Sequence, residues 1–213
     1  ALVMRETVRR NGARDGLLYL QVTRGALRRD HPIPADPPRP TLILTLHPTN
    51  TGAAARRQAD GVGVLSRPDE RWARCDIKTP QLLPNLLAKT AARRAGAYEA
   101  WLIDRDGFVT EGASTNAWIV DAEGRIITRD LSHAILPGVT RAAILAEAAA
   151  AQLPVVQRKF TLAEAFAARE AFLASATGAA VPVIAIDGKP VGDGRPGALA
   201  RRLHELYAQQ AGS

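Results

Sequence analysis

A chain of 213 residues, 46% of them hydrophobic and 23% charged, can bury a substantial core in one domain or in one domain and part of another. It has no apolar run of about 18 residues and no apolar signal-peptide core, so a membrane partner is not expected, and its single cysteine excludes a disulfide framework. The net charge of +7 comes from scattered arginine pairs, and with only 5% aromatic residues nucleic-acid binding is not expected. These features predict a cytoplasmic protein whose positive charge suits an anionic small molecule.

The N-terminal part of the sequence contains a helix end, a strand and a basic loop. Residues 1–10 have the pattern of the tail of a helix that ends at Asn11-Gly12, and residues 17–25 form a β-rich run closed by glycine. Arg29 and His31 follow in a polar loop. Because side chains two residues apart in an extended chain point the same way, this pair could bind a carboxylate. From these residues alone, a solvated basic turn is the simpler interpretation.

Lys78 lies between a short apolar segment and a predicted helix at 82–89. It is preceded by a proline-rich connection, a strand at 41–46, a mobile surface loop at 47–60 and a strand at 61–65. Leucines at i, i+1, i+4 and i+5 give the helix one apolar face. Only four of the 28 basic residues are lysines, so a lysine at this junction could be an amine that must lose its proton and form a Schiff base. An ordinary surface lysine is the alternative.

The second half of the chain predicts hairpins that alternate with helices. Hairpins are predicted at 98–110, 117–128 and 184–191, strands at 155–160 and 170–174, and helices at 139–151, 162–168 and 199–209. Glu111 opens the run Glu-Gly-Ala-Ser-Thr-Asn, which by itself is typical of a tight turn. Val139 and Thr140 begin a helix whose free N–H groups and hydroxyl could bind a phosphate, although many helices begin in this way.

The run Arg71-Trp72-Ala73-Arg74-Cys75-Asp76-Ile77-Lys78 closely resembles the D-amino acid aminotransferases, which are fold-type-IV enzymes that depend on pyridoxal phosphate. The resemblance extends from about Arg9 to Tyr207 and includes the family's motifs in their order. It implies an α/β (α+β) fold in which mixed sheets form a pseudo-barrel with helices. Residues 1–40 are then the remnant of a small N-terminal domain, and residues 41–213 are the large cofactor-binding domain.

The same resemblance assigns roles to individual residues. Lys78 is the catalytic lysine that carries the cofactor, and Glu111 is the carboxylate that faces the pyridine nitrogen. Ala176 stands where a second phosphate-binding threonine is common, and the neighbouring hydroxyls could take its place. The implied cofactor-binding residues are Lys78, Glu111, Leu136, Val139, Thr140, Ser175 and Thr177, and the implied substrate-binding residues are Arg29, His31 and Tyr19.

The implied activity is transamination between a D-amino acid and a 2-oxo acid, such as D-alanine and 2-oxoglutarate giving pyruvate and D-glutamate. A homodimer is also implied, because in the family the loop with the Arg-x-His pair reaches the neighbouring subunit's site. No metal is predicted. A branched-chain aminotransferase or an aminodeoxychorismate lyase of the same fold remains an alternative, although the pair Arg29 and His31 argues against both. A third possibility is a degenerate, cofactor-free binding module.

Overall fold

The computed structural model describes residues 2–12, 15–49 and 51–211. Packing divides the chain into two compact units, residues 1–52 and residues 53–213. Residues 1, 13, 14, 50, 212 and 213, which the predicted elements and domains include, lie outside the described residues. The identification of residues 1–40 as a domain remnant stays a prediction.

The first unit contains a helix and a two-stranded antiparallel ribbon. Helix α1 (Leu2–Asn11) ends at Gly12, whose φ of +62° is the left-handed conformation that favours glycine. Strands β1 (Leu17–Thr23) and β2 (Thr41–His47) pair along their full lengths, with Leu17 opposite His47. These elements confirm the helix end and both strands predicted here. Residues 24–40 form no helix or strand, as predicted for the loop that carries Arg29 and His31.

The second unit contains most of α2 (Thr51–Asp60) and all later elements. Within the described ranges, no helix combines the length and apolarity that a membrane crossing requires. The later elements are β3 (Val62–Pro68), α3 (Leu83–Arg94), β4 (Glu99–Ile103), β5 (Val109–Gly112), β6 (Asn116–Val120), β7 (Ile126–Thr128), α4 (Val139–Ala150), β8 (Val155–Gln157), α5 (Leu162–Ala167), β9 (Glu170–Ser175), β10 (Gly178–Ile186), β11 (Lys189–Pro190) and α6 (Ala198–Ala211).

A nine-stranded mixed sheet organises the second unit. Its order is β5-β4-β3-β10-β9-β6-β7-β8, and β11 pairs with β10. Strand β3 runs parallel to β4 and β10, β7 runs parallel to β8, and the other pairs are antiparallel. This arrangement confirms the predicted mixed α/β architecture and the three predicted hairpins.

The two ends of the sheet curl toward each other. Phe108, next to β5, forms a β-bridge with Thr161, which follows β8. The backbone N–H of Val109 donates to the carbonyl of Phe160 at 2.9 Å. The sheet therefore closes partly on itself, as the predicted pseudo-barrel requires.

Both faces of the sheet are covered, so its central strands are buried throughout. Successive residues of β6 point to opposite faces: Ile119 joins the core cluster that contains Trp101 and Phe160, while Trp118 joins the cluster packed by α4 and α6. Trp118 stacks on Phe172 with ring centroids 5.4 Å apart. Such burial on both faces explains why these strands are nearly continuous runs of apolar residues.

The prediction of a mobile loop at 47–60 is wrong in its second part, because residues 51–60 form α2. The prediction weighted the polar and glycine residues at the start of the segment. The run Ala53-Ala54-Ala55-Arg56-Arg57-Gln58 consists of strong helix formers, and its local preference decides the structure. Gln58 then anchors the helix by donating from Nε2 to the carbonyl of Ala180 at 3.2 Å.

Helix α3 ends as predicted near Gly96, whose φ is +78°. The segment 71–82 before it contains no strand, so Lys78 extends from an irregular connection rather than from a strand end. Local contacts hold this connection: the N–H of Cys75 donates to the carbonyl of His133 at 2.8 Å, and Arg74 pairs with Asp76.

Candidate active site

A cavity of about 1120 Å³ lies in the second unit, bordered by the segment before α3, the end of β5, the start of α4 and the turn between β9 and β10. Seven predicted site residues from these distant parts of the sequence line it. Their individual roles remain predictions, but the fold brings them to one place. The seven are Lys78, Glu111, Leu136, Val139, Thr140, Ser175 and Thr177.

The three predicted substrate-binding residues belong to the first unit. Tyr19 lies on β1 and donates its hydroxyl to Oε1 of Gln21 at 2.9 Å. Arg29 and His31 lie in the irregular segment 24–40 and are exposed. Their binding of a substrate carboxylate stays a prediction.

Lys78 and Lys89 differ in their surroundings. The amine of Lys78 has no hydrogen-bond or ion-pair partner among residues 2–12, 15–49 and 51–211. The amine of Lys89 pairs with the fully buried Glu99 at 2.7 Å and donates to the hydroxyl of Ser114 at 3.2 Å. Lys89 is therefore held by a carboxylate, while Lys78 is free to react with a carbonyl group in the cavity.

Glu111 is buried at the end of β5 and accepts several hydrogen bonds. Nη1 of Arg71 donates to Oε1, Nδ2 of Asn116 donates to Oε2 at 2.9 Å, and the N–H of Leu136 donates to Oε2 at 3.1 Å. These contacts fix the direction of the carboxylate within the cavity wall. Asn116 belongs to the same motif as Glu111 but was not assigned a role from the sequence.

The surroundings of Glu111 alter its acidity. Loss of hydration on burial raises the pKa of Glu111 to about 7, against the opposing effect of the neighbouring Arg71. A carboxyl with this pKa can exchange a proton near neutral pH. This suits a group that faces a basic ring nitrogen.

Arg71 and Asp69 are the main site residues that sequence reasoning missed. Arg71 is a member of the recognised motif, yet its function depends on Glu111, which lies 40 positions later. Asp69 binds Arg71 through Nε at 2.9 Å and Nη2 at 2.8 Å. The only sequence signal was an acid and a base two residues apart, which is common on protein surfaces.

The start of α4 has the chemistry of a phosphate site. Gly138 is the N-cap and forms no side-chain cap, so the first N–H groups of the helix are free to bind an anion. The buried Oγ1 of Thr140 has no hydrogen-bond partner within the described part of the chain. Thr140 lines the cavity, and its unpaired hydroxyl fits a phosphate oxygen.

The turn between β9 and β10 adds two hydroxyls to this region. Oγ of Ser175 and Oγ1 of Thr177 lie 3.4 Å apart, and both residues line the cavity beside Ala176. They could therefore supply the polar contact that Ala176 cannot.

Cys75 also borders the cavity but is not suited to act as a nucleophile. Its Sγ donates to the carbonyl of Trp72 at 3.1 Å, and burial raises the pKa of the thiol. Within residues 2–12, 15–49 and 51–211, no cluster of His, Cys, Asp or Glu could hold a metal ion.

The sequence matches the family described as Amino-transferase class IV over residues 3–186. It is 38% identical over 200 residues to a D-alanine aminotransferase of Bacillus licheniformis, covering 94% of this chain and 69% of that protein. It is 35% identical over 205 residues to a D-alanine aminotransferase of Staphylococcus epidermidis, covering 96% and 71%.

The fold is also similar to solved structures. A branched-chain amino acid aminotransferase from the organism T.th., solved with pyridoxamine 5'-phosphate, superposes with a TM-score of 0.84 at 28% identity. The match covers 97% of this chain and 68% of that one. The chain therefore belongs to the class IV aminotransferases of fold type IV, which are pyridoxal-phosphate-dependent enzymes.

Proposed function

We propose that the protein is a cytoplasmic aminotransferase that moves the amino group of a D-amino acid to a 2-oxo acid. The observation that carries the proposal is one cavity in which an unpaired amine, a buried carboxylate and an unpaired hydroxyl at a helix start come together, from Lys78, Glu111 and Thr140. The two D-alanine aminotransferase relatives support a D-amino acid as the donor. One unpaired cysteine suits a reducing compartment.

The residues present fit pyridoxal phosphate. Lys78 would hold its carbonyl carbon, Glu111 its ring nitrogen, Leu136 its ring face, and Val139 and Thr140 its phosphate, assisted by Ser175 and Thr177. When bound, the cofactor supplies the electron sink that stabilises negative charge at the substrate Cα.

The side chains of the chain then perform the proton transfers. Nζ of Lys78 removes the proton from the substrate Cα as a general base and later returns a proton as a general acid. The carboxylate of Glu111 keeps a proton at the ring nitrogen, because its negative charge stabilises the positive form of that nitrogen. Arg71, Asn116 and the N–H of Leu136 keep this carboxylate in place.

Arg29, His31 and Tyr19 would fix the substrate carboxylate. An arginine binds a carboxylate through two parallel hydrogen bonds, and His31 and Tyr19 can each add one. A carboxylate held from one side leaves only one enantiomer with its Cα–H directed at Lys78. The cavity as a whole would therefore select one enantiomer of the substrate.

The direct experiment measures transamination of matched enantiomers by the purified protein supplied with pyridoxal phosphate. D-alanine, L-alanine, D-glutamate and L-glutamate are each paired with a suitable 2-oxo acid, and product is separated on a chiral column. Activity on the D-enantiomers with little on the L-enantiomers is the expected result. Equal or greater activity on the L-enantiomers would contradict the proposal.

A branched-chain aminotransferase is the second candidate, favoured by the TM-score of 0.84 with the branched-chain enzyme from T.th. described above. The pair Arg29 and His31 weighs against it. Adding L-leucine, L-isoleucine and L-valine to the same assay separates the two candidates, because turnover of these donors alone would favour the second.

We also propose that the enzyme is a homodimer. The leucine face of α3 is exposed at Leu83, Leu86 and Leu87, by 60–66%, while its buried face consists of Ala88 and Ala92. A second copy of the same chain would cover these side chains. Light scattering should give twice 22.8 kDa for the parent, and Leu83→Asp with Leu86→Asp should halve this mass. A parent mass of one chain at micromolar concentration would contradict the proposal.

A further inference from the structure

The buried ion pairs that join Asp69, Arg71 and Glu111 support an inference beyond the roles described so far. We propose that Asp69 is a positioning residue that fixes Arg71 and thereby leaves Glu111 its negative charge for the ring nitrogen. This inference rests on the proposed function, because it takes Glu111 as the partner of that nitrogen.

Asp69 is held firmly in the protein. It follows β3 directly, and its N–H donates to the carbonyl of Ile103 on β4 at 2.8 Å. Its carboxylate accepts hydrogen bonds from Nε and Nη2 of Arg71, from the backbone N–H of Arg71 at 3.1 Å and from the hydroxyl of Thr110 at 2.7 Å. Such a paired contact determines the orientation of the planar guanidinium group.

The orientation of Arg71 decides which of its nitrogen atoms reaches Glu111. Nε and Nη2 contact Asp69, and Nη2 also donates to the carbonyl of Ala134 at 3.0 Å. Nη1 is left to donate to Oε1 of Glu111. Without the carboxylate of Asp69, the guanidinium could turn and offer two nitrogen atoms to Glu111.

The charges of the three residues do not cancel. Their side chains are only 6% (Arg71), 11% (Asp69) and 7% (Glu111) exposed, so their interactions are weakly screened by water. One guanidinium serves two carboxylates, which leaves a net charge of −1. Glu111 lines the large cavity and Asp69 does not, so the excess negative charge is available to a ligand through Glu111. A protonated ring nitrogen would balance it.

Asp69 lies on the opposite side of Arg71 from the large cavity. It borders a neighbouring cavity of about 660 Å³ together with Asp104, and Arg71 borders both cavities. A substitution at Asp69 would therefore change Glu111 through Arg71 and not through contact with the cofactor. Asp104 forms a comparable ion pair with Arg129 at 2.9 Å and is a matched control.

The first test uses the apoprotein with ¹³C-labelled glutamate and follows the Glu111 carboxyl signal by NMR during a pH titration. Asp69→Asn should lower the proton affinity of Glu111 about tenfold, because Arg71 then acts on Glu111 alone. Asp69→Glu should restore much of it, and Asp104→Asn should leave it unchanged. Cys75, the thiol near this group, is common to all these variants. An unchanged titration in Asp69→Asn would overturn the proposal and leave the proposed function standing.

The second test uses the holoenzyme with cofactor labelled by ¹⁵N in the ring. The ring-nitrogen shift should move toward the unprotonated form in Asp69→Asn, and kcat should fall about tenfold while KM for D-alanine stays within about twofold. A changed Glu111 titration with an unchanged ring-nitrogen shift would overturn the second step of the proposal. That result would also remove Glu111 from the ring nitrogen in the proposed function.

Asparagine places an amide donor against the donors of Arg71, so this variant could fail to fold. Asp69→Ser removes the carboxylate without that conflict and provides the same two measurements. The expected and contradicting results are the same as for asparagine.

Discussion

Gly138 lies so close to Asn116 that a β-carbon at position 138 would overlap Oδ1 of Asn116. Gly138 has a φ of −64°, which any residue can adopt, so glycine is needed here for space and not for its backbone freedom. Asn116 donates from Nδ2 both to Oε2 of Glu111 at 2.9 Å and to the carbonyl of Leu136 at 3.0 Å. The start of α4 and the buried carboxylate are therefore linked through one amide.

Gly138→Ala should push Asn116 away from Glu111. We expect the free energy of unfolding to fall by about 1–3 kcal/mol, as for overpacked sites, and the dissociation constant of pyridoxal phosphate to rise. Urea denaturation and a cofactor titration measure the two effects. Gly63→Ala is the control, because a β-carbon at Gly63 would have no neighbour within 4 Å. Equal effects of the two substitutions would contradict the link through Asn116.

Lys78→Ala should abolish transamination and leave the fold intact, because an exposed side chain is shortened while the proposed base is lost. Borohydride reduction of the parent holoenzyme, followed by peptide mass spectrometry, should locate the cofactor on Lys78. Lys159→Ala is the control, since the amine of Lys159 lies over the ring of Phe108 at 5.3 Å and does not line the large cavity. A cofactor adduct on Lys89, which Glu99 holds in an ion pair, would refute the assignment.

Glu111→Gln should change how the stability of the apoprotein depends on pH. Burial raises the pKa of Glu111 from 4.5 to about 7, so folding favours the protonated carboxyl. The stabilising contribution is complete below pH 4.5 and is lost as the pH rises through 7. The parent should therefore lose up to about 3 kcal/mol relative to the variant over this interval. Urea denaturation at several pH values measures the difference, and parallel pH profiles would contradict the prediction.

Arg29→Ala should raise the KM for D-alanine roughly tenfold to a few hundredfold, since a paired, charged hydrogen bond to the substrate carboxylate is lost. Arg28→Ala is the matched control, because adjacent side chains in an extended segment point in opposite directions. Steady-state kinetics with both variants measures the effect. An unchanged KM in Arg29→Ala would mean that the segment 24–40 carries only a solvated basic turn.

Elements with strong periodicity and clear turn signals were predictable from the sequence. The hairpin of β4 and β5 reverses at Gly107, whose φ of +84° requires the glycine that marked the turn. Helix α2 was missed because polar and glycine residues at its start were weighted above its alanine-rich run. Helix α3 was found, but periodicity could not reveal that its leucine face is exposed, since an uncovered apolar face and a core face have the same pattern.

The candidate site was predictable where a motif keeps its chemistry within a few residues. Lys78 and Glu111 were identified in this way. Arg71 and Asp69 were not, because their importance depends on a contact between β5 and the segment after β3 that only the folded sheet creates. Thr140 lay in between: the helix start was visible in the sequence, but its unpaired hydroxyl is a property of packing.

The partial closure of the sheet also affects how the protein can associate. Backbone groups of Val109 and Phe160 are bonded to each other and cannot recruit a strand of another chain. This protects the sheet there from edge-to-edge aggregation, which depends on backbone groups and discriminates poorly between partners. Association through α3 would depend instead on the shapes of leucine side chains, so its specificity could change by substitution without any change in strand pairing.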